Sequence, residues 1–435
     1  MTKPSVRRLV AQNTMAQMTS TAVSLGFGLL SAAILSRHLG VERFGKFHYL
    51  FAFYYFFLAL NDFGVNTVVV REISQNKHRS GEILGSVFLF KLALSLLSLL
   101  AAWVVILRMG FEGDLRRGLL IYGFVLPLMA FQLPAAVYQV HLKLARLSVL
   151  SVITKGISFI LILTAVWLGF GITGLAIALI LAETLYSLML FWDARSLLEP
   201  VWKWNPHVLW AILRSGIPIG LTGLLVAVIN RSSFILLERL GGLYQLGLFS
   251  AATKVTSILE TLPLTMMGTL YPLMSYYAAR DPSRLKSLYQ KSFFSLACVG
   301  VAAALLVNFL SPLLIHLIFG KAFLAAVPSL AVLIWSTAFV YAAVCGGNLL
   351  ISLGRERACL FINALAAVLN LFLNFHLIPR YGARGAAWAT VATYGVILVC
   401  TTIAAQRALS PRRAAGHPPV RRMNWGVLPP PEPPL

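Results

Sequence analysis

Charge is scarce in this chain, and acidic charge is scarcest. Only 11% of its 435 residues are charged and 14 are Asp or Glu, where a soluble domain carries about 25% charged residues. With 59% hydrophobic residues and a mean hydropathy of +0.81, that deficit excludes a soluble globular protein. What remains is an all-α polytopic membrane protein. Cysteine is nearly absent too. Cys298, Cys345, Cys359 and Cys400 all fall inside apolar segments, which excludes a secreted disulfide framework and a spaced metal site. There is no Ser/His/Asp set, no Cys/His cluster and no Gly-rich loop ahead of a Lys-Ser or Lys-Thr pair. No catalytic residue, cofactor or ATP hydrolysis is therefore expected. Work must come from an ion gradient, the membrane potential or the substrate's own gradient. Aromatic and basic residues do not interleave in stripes, which removes nucleic acid as a partner. The 36 Lys and Arg, net charge +22, point instead to membrane topology and anionic headgroups. The first apolar segment is long and lacks a small-residue cleavage site, so it reads as a spanning helix and not as a leader.

Apolar stretches of the required length, about 20 residues, recur throughout. They are placed roughly at 10–36, 47–70, 83–107, 118–141, 147–168, 172–192, 215–237, 244–277, 291–318, 327–352, 359–378 and 385–406, about twelve spans in all. The one ending at Tyr277 is long enough to project past the bilayer. The expected organisation is an N-terminal six-helix bundle at 1–195 and a cytoplasmic interfacial linker at 196–214 carrying Trp202, Trp204 and Trp210. A C-terminal six-helix bundle follows at 215–408, and the Pro- and Arg-rich stretch at 409–435 reads as a disordered cytoplasmic tail.

The two bundles resemble each other. Leu35-Ser-Arg37-His-Leu-Gly40, leading to Gly45 and Phe47, is matched by Leu237-Glu-Arg239-Leu-Gly-Gly242, leading to Gly247 and Phe249. Later, Gly171, Gly174, Ala176 and Ala178 return as Gly382, Gly385, Ala387 and Ala389. The offset changes from about 202 to about 211, which one longer loop accommodates. An even number of spans separates the copies, so the repeats are parallel, with a central cavity between them. About 22 Lys and Arg fall on the side of the termini and about 10 on the other, which puts both termini in the cytoplasm.

Polar groups inside the spans mark the candidate site, because a charge at bilayer depth costs roughly 2.5–3.5 kcal/mol or more. The stretch Asn230–Pro272 holds Arg231, Lys254 and Glu260. Thr253, Thr256, Ser257 and Glu260 follow one helical stripe, and Ser250, Lys254, Ser257 and Thr261 an adjoining one. Lys254 and Glu260 are expected on one polar half, either as a structural ion pair or as a cavity wall meeting a charged substrate or coupling ion. Asn13, Gln17, Ser20, Ser24 and Ser31 share a face of the first span. His48, Tyr55, Asp62 and Asn66 share one on the second. Lys91 and Lys155 lie about two turns inside their helices, where snorkelling to the headgroups competes with a substrate role. Glu183 lies mid-helix, as an ion-coupling group or a partner for a lysine.

Several runs carry a resemblance. Leu39-Gly40-Val-Glu-Arg-Phe44-Gly45-Lys-Phe47 resembles the opening of the polysaccharide-exporter (oligosaccharide flippase) family of the multidrug/oligosaccharidyl-lipid/polysaccharide superfamily. So does Asn61-Asp62-Phe-Gly64-Val-Asn66-Thr67, followed by Arg71-Glu72. Phe319-Gly320-Lys-Ala-Phe323 is similar to a later landmark of that family. Another is Asn370…Asn374…Ile378-Pro379-Arg380-Tyr381-Gly382-Ala-Arg-Gly385-Ala386-Ala387. The resemblance implies a transporter in the bacterial inner membrane that flips an undecaprenyl-pyrophosphate-linked oligosaccharide for surface or exopolysaccharide synthesis. Membrane lipids, and a polymerase and glycosyltransferases, would be its partners. On that reading Arg231, Lys254, Lys91, Lys155, Asn13, Gln17, Asp62 and Asn66 bind substrate, and Glu260 and Glu183 couple an ion. One departure is Ser233, where many members of the family carry an Asp. Two rivals stand beside this expectation. An ion-coupled multidrug exporter of the same superfamily would prefer an acidic cavity. A membrane-embedded polymerase or ligase would need a large outer loop with Arg and His, which this chain lacks. A scaffold for assembly enzymes is the remaining alternative.

Overall fold

A computed structural model of the chain describes residues 6–75, 79–141, 143–195 and 204–410. Residues 196–203 of the expected linker, Trp202 included, and the tail beyond Ser410 lie outside them. Among the described residues the secondary structure is helical throughout. In chain order the helices are α1 (Val6–Asp62), α2 (Val65–Gln75), α3 (Ser80–Arg108), α4 (Gly113–Tyr122), α5 (Val125–Phe131), α6 (Ala135–Val140) and α7 (Leu144–Trp167). Then follow α8 (Ile172–Ala194), α9 (Pro206–Leu240), α10 (Gly242–Arg280), α11 (Pro282–Phe319), a 3₁₀ turn (Lys321–Ala326), α12 (Val327–Ser352), α13 (Glu356–Tyr381) and α14 (Ala383–Leu409).

Nine of the described helices are long and apolar enough to cross a membrane unaided. α1 is two crossings folded at Gly40, whose φ of 71° breaks the helix. The first crossing is residues 6–39. The second, residues 41–75, is interrupted at Phe63 and Gly64, both at positive φ. α4–α6 form one crossing broken ahead of Pro127 and at Pro134, because proline lacks the N–H a continuous helix needs. α10 is less apolar because Lys254, Glu260 and a run of Ser and Thr lie along it. Counted together these make the twelve crossings of two six-helix repeats. The helix expected at 215–237 begins earlier, at Pro206. Asn205 caps it through His207 N and Val208 N, with proline at the first position, a favourable start. Residues 206–214 are thus its first turns and not a separate interfacial piece. α11 opens the same way, from Asp281 and Pro282. The Ser283 hydroxyl and the Arg284 amide hold the Asp281 carboxyl below its usual range.

The two halves pack closely at the end that holds Gly40 and Gly242. There Gly45 lies against the Leu243 carbonyl, and Gly247 against the Val41 carbonyl. Side chains at either position would collide with backbone, so the second crossing and α10 meet glycine to glycine. Phe44 fills the space beside them, 5.9 Å from Phe319 and 5.4 Å from Phe323. Toward the opposite end, the break at Gly64 docks on α9. A Cβ there would come within 2.7 Å of Gly216 O and of Ile219 Cβ. The repeat-related residues, 14–18 of the first crossing and 264–268 of α10, present exposed side chains instead of a close docking of this kind. Met15, Gln17 and Met18 are exposed on one side, and Leu264, Thr265 and Gly268 on the other.

Candidate functional site: a cationic cavity between the halves

A cavity of about 480 Å³ lies between the halves. Helical periodicity supplies its walls. Ser24, Gly28 and Ser31 come from the first crossing, and His48, Phe51 and Tyr55 from the second. Lys155 and Ser158 project from α7, and Glu183 from α8. Arg231 projects from α9, and Ser250, Thr253, Lys254 and Ser257 from α10. The lining repeats every three or four residues on each helix, as one helical face requires.

Three cations dominate it. Lys254 reaches across from α10 until its Nζ stands 3.3 Å from where a Cβ on Gly28 would be. A side chain there would have to push the ammonium aside. Lys155, on the opposite half, is within electrostatic reach of Lys254. The Arg231 guanidinium sits 4.8 Å from the Tyr55 ring and 5.5 Å from that of Phe234, a cation–π arrangement. Its buried Nε has no hydrogen-bond partner among the described residues. None of the three has a carboxylate within 4.0 Å among the described residues. His48 is within electrostatic reach of both Lys254 and Arg231. The Glu183 carboxylate accepts from Gln132 Nε2 at 3.1 Å, and the same amide donates to Ser187 Oγ at 3.3 Å. Glutamine, and not a lysine, is its partner. Such a cavity attracts an anion. Phosphate oxygens suit Lys and Arg, and Arg adds bidentate geometry.

The other candidate residues lie elsewhere. Lys254 and Glu260 form no ion pair. Six residues separate them, which places them about 120° apart around a helix. Glu260 instead lies within electrostatic reach of Arg231. Lys91 does not snorkel. It is buried, donates to Asn66 Oδ1 at 2.9 Å and stands 3.6 Å from Asp62, tying together the two sides of the break in the second crossing. Asn13 is buried and its Oδ1 accepts from Ala145 N at 3.0 Å, at the start of α7. Gln17 is exposed, and its carbonyl accepts from Thr21. Ser233, the departure from the family pattern, donates to Asn374 Oδ1 at 3.1 Å, and Ser232 donates to Asn370 Oδ1 at 2.7 Å. Asn370 in turn donates to Thr393 at 3.1 Å. This buried network is neutral and internally paired. His48, Tyr55 and Gly28 enter the site beyond the residues chosen for it from sequence. The signal for His48 and Tyr55 was their i, i+7 spacing on the second crossing.

A family model described as polysaccharide biosynthesis protein matches residues 10–278, and one described as MatE matches residues 218–376. A probable low-salt glycan biosynthesis flippase of Haloferax volcanii is 24% identical over 390 residues, 85% of this chain and 78% of that protein. The capsular polysaccharide biosynthesis protein CapF of Staphylococcus aureus is 26% identical over 42% of this chain and 46% of its own length. An uncharacterized membrane protein of Methanocaldococcus jannaschii is 25% identical over 34% of this chain. The chain thus spans less than half the length of these last two relatives, 46% and 30%. In fold it is similar to an inward-facing multidrug resistance MATE family transporter of the MOP superfamily. There the TM-score is 0.75 and the identity 18%, covering 93% of this chain and 100% of that one. It is also similar to the lipid II flippase MurJ in an inward closed conformation, with a TM-score of 0.73, 13% identity and coverage of 91% and 88%.

Proposed function

The chain belongs to the polysaccharide biosynthesis protein family, and from that premise we propose that it flips a lipid-linked oligosaccharide of the undecaprenyl-pyrophosphate type across the bacterial inner membrane. The product would feed surface or exopolysaccharide synthesis, and both termini would be cytoplasmic. The observation that carries this reading is the cavity with three cations and no carboxylate within 4.0 Å of them among the described residues. A pyrophosphate brings concentrated negative charge, and fixed cations attract it more strongly at low dielectric than in water. Lys155 from one half and Lys254 and Arg231 from the other form the seat. The exposed faces of the first crossing and α10, at Met15 and Met18 and at Leu264 and Thr265, support the same cargo. They leave a seam through which a polar head could occupy the cavity while the polyprenyl tail stays in lipid. Bundles 1–195 and 215–408 would rock against each other in alternating access, with Glu260 and Glu183 carrying the coupling proton.

The rival cargo is a cationic drug, favoured by the likeness to MATE transporters and opposed by the sign of the cavity. Reconstituted in liposomes, the protein is expected to move a fluorescent polyprenyl-pyrophosphate disaccharide to the leaflet reached by a membrane-impermeant quencher, and to leave a cationic dye gradient unchanged. Dye movement without glycolipid movement would replace this reading with the exporter. For orientation, a reporter active only in the periplasm is expected to stay silent when fused after Leu435. A signal there would reverse the proposed direction of flipping.

A further inference from the structure

The closed end of the cavity holds a pair of contacts that the repeat relates to each other. Arg37 and Arg239 occupy equivalent places, each three residues ahead of a glycine at positive φ, Gly40 at 71° and Gly242 at 82°. Each reaches across to the other half. Arg37 Nη2 donates to Leu317 O at 2.6 Å, in the last turn of α11. Arg239 Nη2 donates to Met109 O at 2.9 Å, just past the end of α3. α3 and α11 are the third crossings of their halves. The same relation is therefore made twice, with the roles of the halves exchanged. Both carbonyls belong to helix C-termini, where unpaired oxygens and the helix dipole favour a cation. The surroundings hold each arginine in place. Arg239 lies 5.2 Å from the Phe111 ring and 3.3 Å from Glu238, and the Arg37 stem lies along Gly320. At the same end Gly45 and Gly247 bring the two backbones together, and Phe44 packs across the halves on Phe319 and Phe323.

We propose that Arg37 and Arg239 are matched latches that keep the cavity shut at its Gly40 end, each by capping the third crossing of the opposite half. Both release when the cavity turns to that side. Both side chains are exposed, so each bond competes with water and breaks readily, as a reversible latch must. Two latches related by the repeat should carry similar shares of the closure. The inference is independent of the cargo.

The test uses the full chain in lipid nanodiscs, with the four native cysteines replaced by serine and spin labels at Glu42→Cys and Tyr244→Cys, both exposed sites beside the glycine crossing. Pulsed dipolar spectroscopy then reads the separation of the halves. Each of Arg37→Gln and Arg239→Gln is expected to raise the ratio of open to closed populations about tenfold, the order of one hydrogen bond to a charged group. The double change should exceed either single one. Arg37→Lys and Arg239→Lys should fall between, because charge survives and the planar fork does not. A distance distribution unchanged in the folded double variant overturns the proposal. So does a shift from only one arginine, or a lowered melting temperature with no change in distances.

Discussion

Lys254→Glu is expected to lower glycolipid flipping at least about 100-fold while the protein remains in the membrane at normal levels. Lys254 has no carboxylate within 4.0 Å to lose among the described residues, so folding should not depend on its charge. A bound pyrophosphate would feel the reversal directly. Two unit charges about 4 Å apart interact by roughly 4 kcal/mol at an effective dielectric near 20, and about 1.4 kcal/mol is a factor of ten. Even a fraction of that energy, with the sign inverted, gives the expected loss. Lys254→Arg should retain part of the activity. Gly28→Val should mimic a milder Lys254 defect, since its side chain would occupy the ammonium's position. Arg231→Ala should also impair flipping, and Arg231→Lys should not fully restore it, because stacking on Tyr55 depends on the planar guanidinium. The measurement is initial flipping rate per folded molecule. Full activity in Lys254→Glu would remove the cavity as the anion seat and with it the pyrophosphate reading.

The crossings were legible in sequence because twenty apolar residues have few other uses, and the repeat was legible because its glycines recur at matched positions, some for a positive φ and some for close helix contact. The matched Gly40 and Gly242 both stand at positive φ. The three-part crossing of α4–α6 was less so. Pro127 and Pro134 were visible, but a proline in a membrane helix can kink it or break it, and packing decides which. The cavity faces of the first crossing and of α10 followed from helical spacing. What spacing could not reveal is which polar residue meets which. Lys91 and Lys155 occupy similar depths, yet only Lys155 faces the cavity, because the break at Gly64 turns Asp62 and Asn66 toward α3. Lys254 and Glu260 shared a polar half on paper, but the helical phase sends them to different neighbours. The latch arginines stand in the matched repeat motifs. Their partners are backbone carbonyls about 130 and 280 residues away, and a carbonyl carries no residue signature.

Asp62→Ala is expected to unfold the protein more readily than Lys91→Met, although the two residues form one pair. Lys91 is only 3% exposed, whereas the Asp62 side chain is 45% exposed. Among the described residues, removing Asp62 leaves the buried ammonium with Asn66 Oδ1 as its only acceptor. Stranding a buried charge in this way costs about 3–5 kcal/mol. Removing Lys91 leaves Asp62 Oδ1 buried on a side chain that water otherwise reaches, and methionine refills the space, so the cost should stay below about 2 kcal/mol. The double change Asp62→Ala with Lys91→Met should recover most of what Asp62→Ala loses, since no buried charge remains unpaired. Melting in detergent, followed by size-exclusion chromatography, measures the order: double and Lys91→Met close to the parent, Asp62→Ala well below. These residues join the two sides of the break at Phe63 and Gly64, and that break docks on Gly216 and Gly220 of the other half. Loss of the pair should therefore loosen the hinge of the second crossing before it affects binding of an anion in the cavity. If Asp62→Ala instead melts like the parent protein and still abolishes flipping, Asp62 belongs to the substrate path and the pair is not a structural tie.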